Sequence, residues 1–230
     1  RSIWVTGVQT CALPISNALS HEIKTPLARM RFEIELARIA ADPAALQRHL
    51  DHLNTDVTEL NAFVTATLEY AVLERAEMSL NIAPHDFTAI VPAVTESVKR
   101  GARADLSIHC EVDSDAKTVV CDVHLMETVL RNLLYNAIRH ARRQIRVTFA
   151  IVAQQRYRLC VEDDGPGVAE ADRERVFDSF VQLGRPTGEK TGFGLGLAIV
   201  KRIVEWHGGS AHVEQSALTG ARFVVDWRAR

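Results

Sequence analysis

The chain has 230 residues, of which 47% are hydrophobic and 24% are charged, and its formal net charge is -2 at pH 7. This composition is typical of a soluble globular chain with enough apolar material for two modest domains. So small a net charge gives no indication of a nucleic-acid-binding surface, and we expect no nucleic-acid partner.

The first residues are predicted to lie outside the native fold. The string from Val5 to Ile15 is what in-frame translation of a common sequencing adapter produces, so we expect residues 1–16 to be non-native and the natural chain to extend further at its N-terminus. The alternative is a genuine, weakly apolar segment. The uncharged run Ser2–Ser20 contains Gln, Asn, Pro and Gly, which argue against a membrane-spanning helix.

Two long amphipathic helices are predicted over residues 17–76, because apolar residues recur there at intervals of three and four. Asp42 is predicted to cap the second helix and Pro43 to be its first residue. A single antiparallel hairpin cannot cover both of its apolar seams. We therefore expect it to be half of a dimeric four-helix bundle.

Residues 77–230 are predicted to form a second domain, an α+β sandwich with helices gathered on one face of a mixed sheet. Cys110, Cys121 and Cys160 lie in apolar runs without CxxC spacing, so we expect buried, reduced thiols of a cytosolic protein. Helices are expected over residues 87–100, 124–140 and 195–207, with a short helical stretch near 172–177. Strands are expected over residues 78–83, 106–112, 118–121, 145–152, 157–162, 210–214 and 222–227.

A candidate nucleophile and base stand side by side on the first helix, as His21 and Glu22. A neutral imidazole attacks phosphorus through one ring nitrogen when the other directs its proton toward an acceptor, and Glu22 is the obvious acceptor. Taken alone, such a pair is more often part of a solvated helix face. Thr25 occupies the position of the second histidine of a zinc-protease motif, so that motif is absent. Pro26 is expected to bend the helix.

A second candidate group lies on the helix predicted over residues 124–140. Asn132 and Asn136 are four residues apart, on one face of that helix. The amide oxygen of Asn136 suits a Mg²⁺ ion that bridges phosphates, and Arg139 is long enough to reach a phosphate. His140 is adjacent and is assigned to the same site. The alternative is that these asparagines are hydrogen-bonded core residues.

Two glycine-rich segments complete the pattern. The first, EDDGPG, follows a predicted strand and contains Asp163, Gly165 and Gly167. The second opens the last predicted helix, where small residues allow free backbone N–H groups to approach phosphate oxygens. Its site residues are Gly192, Gly194, Leu195 and Gly196. Either segment alone is weak evidence, since Asp-Gly-Pro-Gly is a common turn and the GxGxG spacing is not a Rossmann fingerprint.

Taken in order, SHEIKTPL, NLLYNAIRHA, EDDGPG and TGFGLGLAIVK resemble the sensor histidine kinases of bacterial two-component systems, with a HisKA-type dimerisation domain and a GHKL-type (Bergerat) ATPase domain. The resemblance implies that His21 is the phosphoacceptor and that Asp163 selects adenine. It also assigns Phe177 and Phe180 to an aromatic box beside the nucleotide lid.

The same resemblance implies ATP and Mg²⁺ as cofactors, a homodimer, and phosphoryl transfer to an aspartate in the receiver domain of a response regulator. Thr25 resembles the residue that orients water in family members that dephosphorylate their regulators. The full-length protein would be anchored in the inner membrane with these domains in the cytoplasm.

Two other classes of protein remain as alternatives. A chaperone-like or topoisomerase-like ATPase of the same fold should have Glu in place of Asn132. A non-catalytic scaffold should have lost His21, Asn136 or Asp163.

Overall fold

The structure, a computed structural model, describes residues 9–74, 79–153, 156–183 and 193–228, with side chains from residue 23 onward. The chain divides into two compact units, residues 1–68 and 69–230. Within the described ranges, no helix has both the length and the apolar content needed to cross a membrane.

The first unit is built from two long helices, α1 (Gln9–Arg38) and α2 (Pro43–Leu73). Helix α1 begins eight residues before the predicted start at Asn17 and continues through Pro26, which is buried. The predicted cap of α2 is confirmed, because Asp42 Oδ1 accepts a hydrogen bond from the amide of Ala45 at 2.8 Å. That bond satisfies one of the free N–H groups at the helix start.

Ion pairs show that α1 and α2 run antiparallel. Arg29 of α1 pairs with Asp56 (2.7 Å) and Glu59 of α2, whereas Glu33, one turn later in α1, contacts the earlier residue His49. The predicted hairpin is therefore confirmed. Several large apolar side chains remain exposed on the two helices, and on the turn between them, in the single chain. They are Leu27, Phe32, Ile34, Ile39, Leu46, Leu50, Val57, Val64, Leu68 and Val72.

The second unit is an α+β sandwich, as predicted. Its main sheet has the strand order β2-β4-β5-β7-β6, with β2 and β4 parallel and the other neighbours antiparallel. A separate antiparallel pair joins β1 to β3. The strands are β1 (Ala83–His85), β2 (Ser107–Val112), β3 (Val119–Cys121), β4 (Gln144–Ala153), β5 (Arg156–Asp163), β6 (Ser210–Gln215) and β7 (Ala221–Arg228).

The described residues of this unit form three α-helices, namely α3 (Phe87–Lys99), α4 (Val123–His140) and α5 (Gly196–Trp206). Helix α4 lies against both α3 and α5, and the aromatic side chains of Phe87, Phe149 and Trp227 meet in the core beneath them. Cys121 and Cys160 are buried and Cys110 is half-buried, all as free thiols. Burial raises the pKa of Cys121 to about 12, so this thiol is unreactive at neutral pH.

Two predicted elements differ from the structure. The strand expected over residues 78–83 is wrong over its described part, residues 79–83, since β1 begins only at Ala83, where pairing with Cys121 of β3 starts; residue 78 lies outside the described residues. Tertiary pairing, which local apolar content does not reveal, sets the position of so short a strand. The helical stretch expected near residues 172–177 is two 3₁₀ turns, Glu170–Asp172 and Arg175–Phe177.

Candidate functional site

The predicted site residues of the second unit converge where α4 meets the loop after β5 and the start of α5. Backbone closeness shows this directly. A Cβ atom built on Gly165 would lie 2.5 Å from the carbonyl oxygen of His140, and one on Gly196 would lie 2.8 Å from Asn132 Oδ1. Three segments that are far apart in sequence are thus packed at the distance that only glycine permits.

Asp163 ends β5 and is the central charged residue of this site. It is 1% exposed, and its Oδ1 accepts hydrogen bonds from the amides of Gly165 (2.8 Å) and Ala221 (3.3 Å). Its Oδ2 is buried and finds no hydrogen-bond partner among the residues that the structure describes. A buried carboxylate oxygen without a donor is costly, so this atom is suited to accept a hydrogen bond from a ligand.

Burial raises the pKa of Asp163 above the usual range of an aspartate, and the amides of Gly165 and Ala221 partly oppose that shift. The cause is loss of solvation of the ionised form. A ligand that donates a hydrogen bond to Oδ2 would replace part of the lost solvation. The electrostatics and the unpaired oxygen therefore point to the same kind of ligand, one with a buried N–H donor.

The adjacent Asp164 has a different role. Its carboxylate accepts from the amides of Arg142 (2.7 Å) and Arg143 (3.0 Å), which follow α4. Partial burial acts to raise the pKa of Asp164, but hydrogen bonds from the amides of Arg143, Gln144 and Arg142 outweigh it and lower the pKa. Asp164 thus ties the end of α4 to the loop that carries Asp163.

Gly167 and Gly220 shape the same loop. Gly167 has φ +74°, which residues with a Cβ rarely adopt, and it faces the carbonyl oxygen of Gly220. Gly220 was not predicted from the sequence. A Cβ there would lie 2.3 Å from both the carbonyl oxygen and Oδ1 of Asp163. The available signal was the Thr219-Gly220 turn between two strands, which only the fold places against Asp163.

Replacing Gly220 by Ala is expected to destabilise the second unit and weaken ligand binding together, because the added methyl group must displace the Asp163 loop. Overpacking of this kind costs about 1 to 3 kcal/mol, or roughly 3 to 10 °C in Tm. Thermal unfolding followed by circular dichroism measures the first effect. Gly101→Ala is the matched control, since its Cβ would meet nothing closer than 3.7 Å. Equal Tm values for the two variants would contradict the packing described here.

The polar side chains of α4 occupy one end of the site. Asn132 donates from Nδ2 to the carbonyl oxygen of Thr128 (2.9 Å), so its Oδ1 is directed toward Gly196. Asn136 follows one turn later and is half-buried. Arg139 and His140 lie in the last turn of α4, where positive charge also complements the helix dipole. Asn132 and Asn136 thus lie one turn apart on α4, as their spacing predicted.

The second glycine segment is held to the aromatic residues by its backbone. The amide of Phe180 donates to the carbonyl oxygen of Gly194 at 2.8 Å. Both residues have positive φ, 64° for Phe180 and 68° for Gly194. Leu195 is 1% exposed and precedes α5, while Phe177 packs edge-on against Phe223 with ring centroids 6.2 Å apart.

The remaining predicted site residues lie on α1 or outside the residues that the structure describes. His21 and Glu22 lie within α1, but their side chains are outside the described set, as is Gly192 altogether. Thr25 is half-buried on α1.

Comparison with known proteins agrees with this geometry. Residues 121–230 match the family described as histidine kinase-, DNA gyrase B-, and HSP90-like ATPase. Sensor protein RstB of Escherichia coli (strain K12) is 34% identical over 214 residues, which is 92% of this chain and 47% of RstB. The chain therefore spans about half the length of this curated relative.

Solved structures share the fold, among them two that were solved as complexes. Full-length ShkA, solved in complex with AMPPNP, has a TM-score of 0.69 and 29% identity, covering 91% of this chain and 44% of ShkA. Histidine kinase ThkA, solved in complex with response regulator protein TrrA, has a TM-score of 0.77 and 22% identity, covering 94% of this chain and 61% of the other.

The family description alone includes three kinds of ATPase. The similarity to RstB, however, extends over the helical hairpin as well as the sandwich, because it covers 92% of this chain. Asn132 has an amide where the hydrolytic ATPases of this fold are expected to have a carboxylate, so it cannot activate water as a base. Both observations count against a chaperone-like or topoisomerase-like ATPase.

Proposed function

We propose that the chain is a sensor histidine kinase core, an ATP-dependent enzyme that phosphorylates its own His21 and then passes the phosphoryl group to an aspartate of a response regulator. The observation that carries the proposal is the buried Oδ2 of Asp163, beside α4 and the start of α5, which has no hydrogen-bond partner in the described part of the chain. It supports a nucleotide pocket with a built-in acceptor for the exocyclic amine of adenine.

The pocket residues have separable roles in this proposal. Asp163 binds the adenine amine, and the N–H groups at the start of α5, after Gly194, approach the phosphates. Arg139 pairs with a phosphate. Asn136 would hold Mg²⁺, which neutralises phosphate charge when bound, and its half-buried amide oxygen is a ligand type that this ion accepts. The AMPPNP complex of ShkA supports an ATP-like ligand at this fold.

The chemical step is proposed for α1. A ring nitrogen of His21 forms a bond to the γ-phosphorus, the bond from that phosphorus to the β,γ-bridging oxygen breaks, and ADP leaves. Glu22 accepts a hydrogen bond from the other ring nitrogen and stabilises the positive charge that develops on the imidazole. Because Asn132 does not activate water, the phosphoryl group is transferred to a side chain and not to solvent.

We also propose the organisation of the natural protein. Residues 17–76 form the dimerisation and phosphoacceptor domain, and residues 77–230 form the ATP-binding domain. The exposed apolar residues of α1 and α2 support a homodimer, in which a second hairpin would cover them. The TrrA complex of ThkA supports a response regulator as partner. Anchoring of the full-length protein in the cytoplasmic membrane, with these domains in the cytoplasm, rests on the family resemblance.

Labelling with ATP tests the proposal. The chain is incubated with γ-labelled ATP and Mg²⁺, and label is expected on the protein with the stability of a phosphoramidate, lost in acid and retained in alkali. Acid-stable label would indicate a hydroxyl acceptor and would contradict the proposed reaction.

Glu22 and Thr25 are expected to affect opposite activities, because a base assists attack by the His21 nitrogen whereas a hydroxyl orients water against the regulator phosphate. Glu22→Ala should slow His21 labelling by about 100-fold or more. Thr25→Ala should leave labelling intact and prolong the lifetime of a phosphorylated receiver domain in the presence of ADP and kinase. Equal losses of both activities in both variants would show that these residues only support the helix.

A further inference from the structure

Three side chains with metal-binding atoms converge in the helical hairpin. They are Glu33 of α1 and His49 and His52 of α2, and their ligand atoms all lie within 4.8 Å of one another. His49 Nδ1 is 2.6 Å from Glu33 Oε2, and His52 Nδ1 is 3.1 Å from Glu33 Oε1. Among the side chains that the structure describes, this is the one group of three or more His, Cys, Asp or Glu with such spacing.

The ligand types suit a particular class of ion. Two imidazoles and one carboxylate are borderline nitrogen and oxygen donors, the set that zinc uses when three protein ligands leave one position open. His49 and His52 are three residues apart, so they lie on one face of α2 and present their Nδ1 atoms to the same carboxylate. Zinc ligand atoms lie about 2.0 to 2.2 Å from the ion, so atoms within 4.8 Å of one another are close enough to share one ion.

Charge and space around the group are also compatible with a cation. The nearby Arg29 is paired with both Asp56 and Glu59, which offset its charge. Arg29, Asp56 and Glu59 also line an open cavity of about 320 Å³ together with Glu33 and His52. This cavity provides room for a water molecule or an anion as the fourth ligand.

We propose that Glu33, His49 and His52 bind one zinc-type divalent ion, which joins α1 to α2. The plain alternative is a hydrogen-bonded clamp in which both imidazoles donate from Nδ1 to the carboxylate. A clamp needs no ion, and its stability does not depend on zinc. The two interpretations therefore differ in whether zinc binds to the chain and stabilises it, and both effects are measured directly.

Metal binding to the whole chain, treated with EDTA and free of any affinity tag, is the test. Titration with Co²⁺ is followed by its d–d absorption, and titration with Zn²⁺ by calorimetry. We expect one ion per chain, without the thiolate charge-transfer band that cysteine ligands would add. Glu33→Gln and His52→Ala should each weaken binding at least tenfold. The matched control is His212→Ala, which removes an exposed histidine of β6 and should leave the metal affinity unchanged.

A second measurement guards against a folding defect in the variants. Zn²⁺ should raise the thermal unfolding temperature of α1 and α2 in the unmodified chain and in His212→Ala, but not in Glu33→Gln. Far-ultraviolet circular dichroism should show equal helix content in all of them. The proposal is overturned if the unmodified chain has no saturable binding, or if Glu33→Gln and His52→Ala bind as tightly as the control. Neither readout depends on kinase activity, so failure here is distinguishable from failure of the proposed function.

Discussion

Replacing Asp163 by Asn is expected to lower the affinity for ATP by roughly five- to 150-fold, which corresponds to about 1 to 3 kcal/mol. The direction follows from the two oxygen atoms of Asp163. Oδ1 accepts from the amides of Gly165 and Ala221, so the oxygen of an asparagine must take that position. The NH₂ group then replaces Oδ2 and faces the adenine amine, donor against donor.

The same substitution should change base selection. Guanine presents a carbonyl oxygen where adenine presents its amine, so the NH₂ group of the introduced asparagine opposes adenine and tolerates guanine. Titration of ATP and GTP into the unmodified chain and into Asp163→Asn measures the preference for ATP over GTP. This preference should be smaller in the variant. Asp105→Asn makes the same chemical change at an exposed surface position and serves as the control. Unchanged ATP affinity in Asp163→Asn would place the adenine site elsewhere.

Much of the candidate site was predictable because its parts are local patterns. The bounds predicted for α4 are correct to within one residue, and so are those predicted for α5, which glycines flank. The four-residue spacing of Asn132 and Asn136 needs only helix geometry to place both on one face. Asp42 likewise predicted the start of α2 through a capping bond to a residue three positions away.

Other parts depend on contacts between distant segments. Gly220 belongs to the turn before β7. A Cβ is excluded at this position only because the turn lies against Asp163. Which oxygen of Asp163 remains unpaired depends on the amides of Gly165 and Ala221, one local and one 58 residues away. The Glu33 group was missed for the same reason, since helix pairing brings residues of α1 and α2 together.

Replacing His21 by Gln is expected to remove all label that ATP transfers to the chain, while ATP affinity stays unchanged. Glutamine has no nucleophilic ring nitrogen, so no bond to phosphorus forms. The residues proposed to bind ATP belong to the second unit, whereas His21 belongs to the first. The two variants therefore separate ATP binding from phosphoryl transfer. Asp163→Asn loses ATP affinity and consequently labelling of the chain, whereas His21→Gln loses only the labelling.

The most direct test of the proposed kinase reaction is to map the phosphoryl group. The chain is incubated with ATP and Mg²⁺, digested under alkaline conditions that preserve phosphoramidates, and examined by mass spectrometry beside His21→Gln. Phosphate is expected on the peptide that contains His21 and on no peptide of the variant. Phosphate on another residue, or equal label on His21→Gln, would contradict the assignment of His21 as the phosphoacceptor.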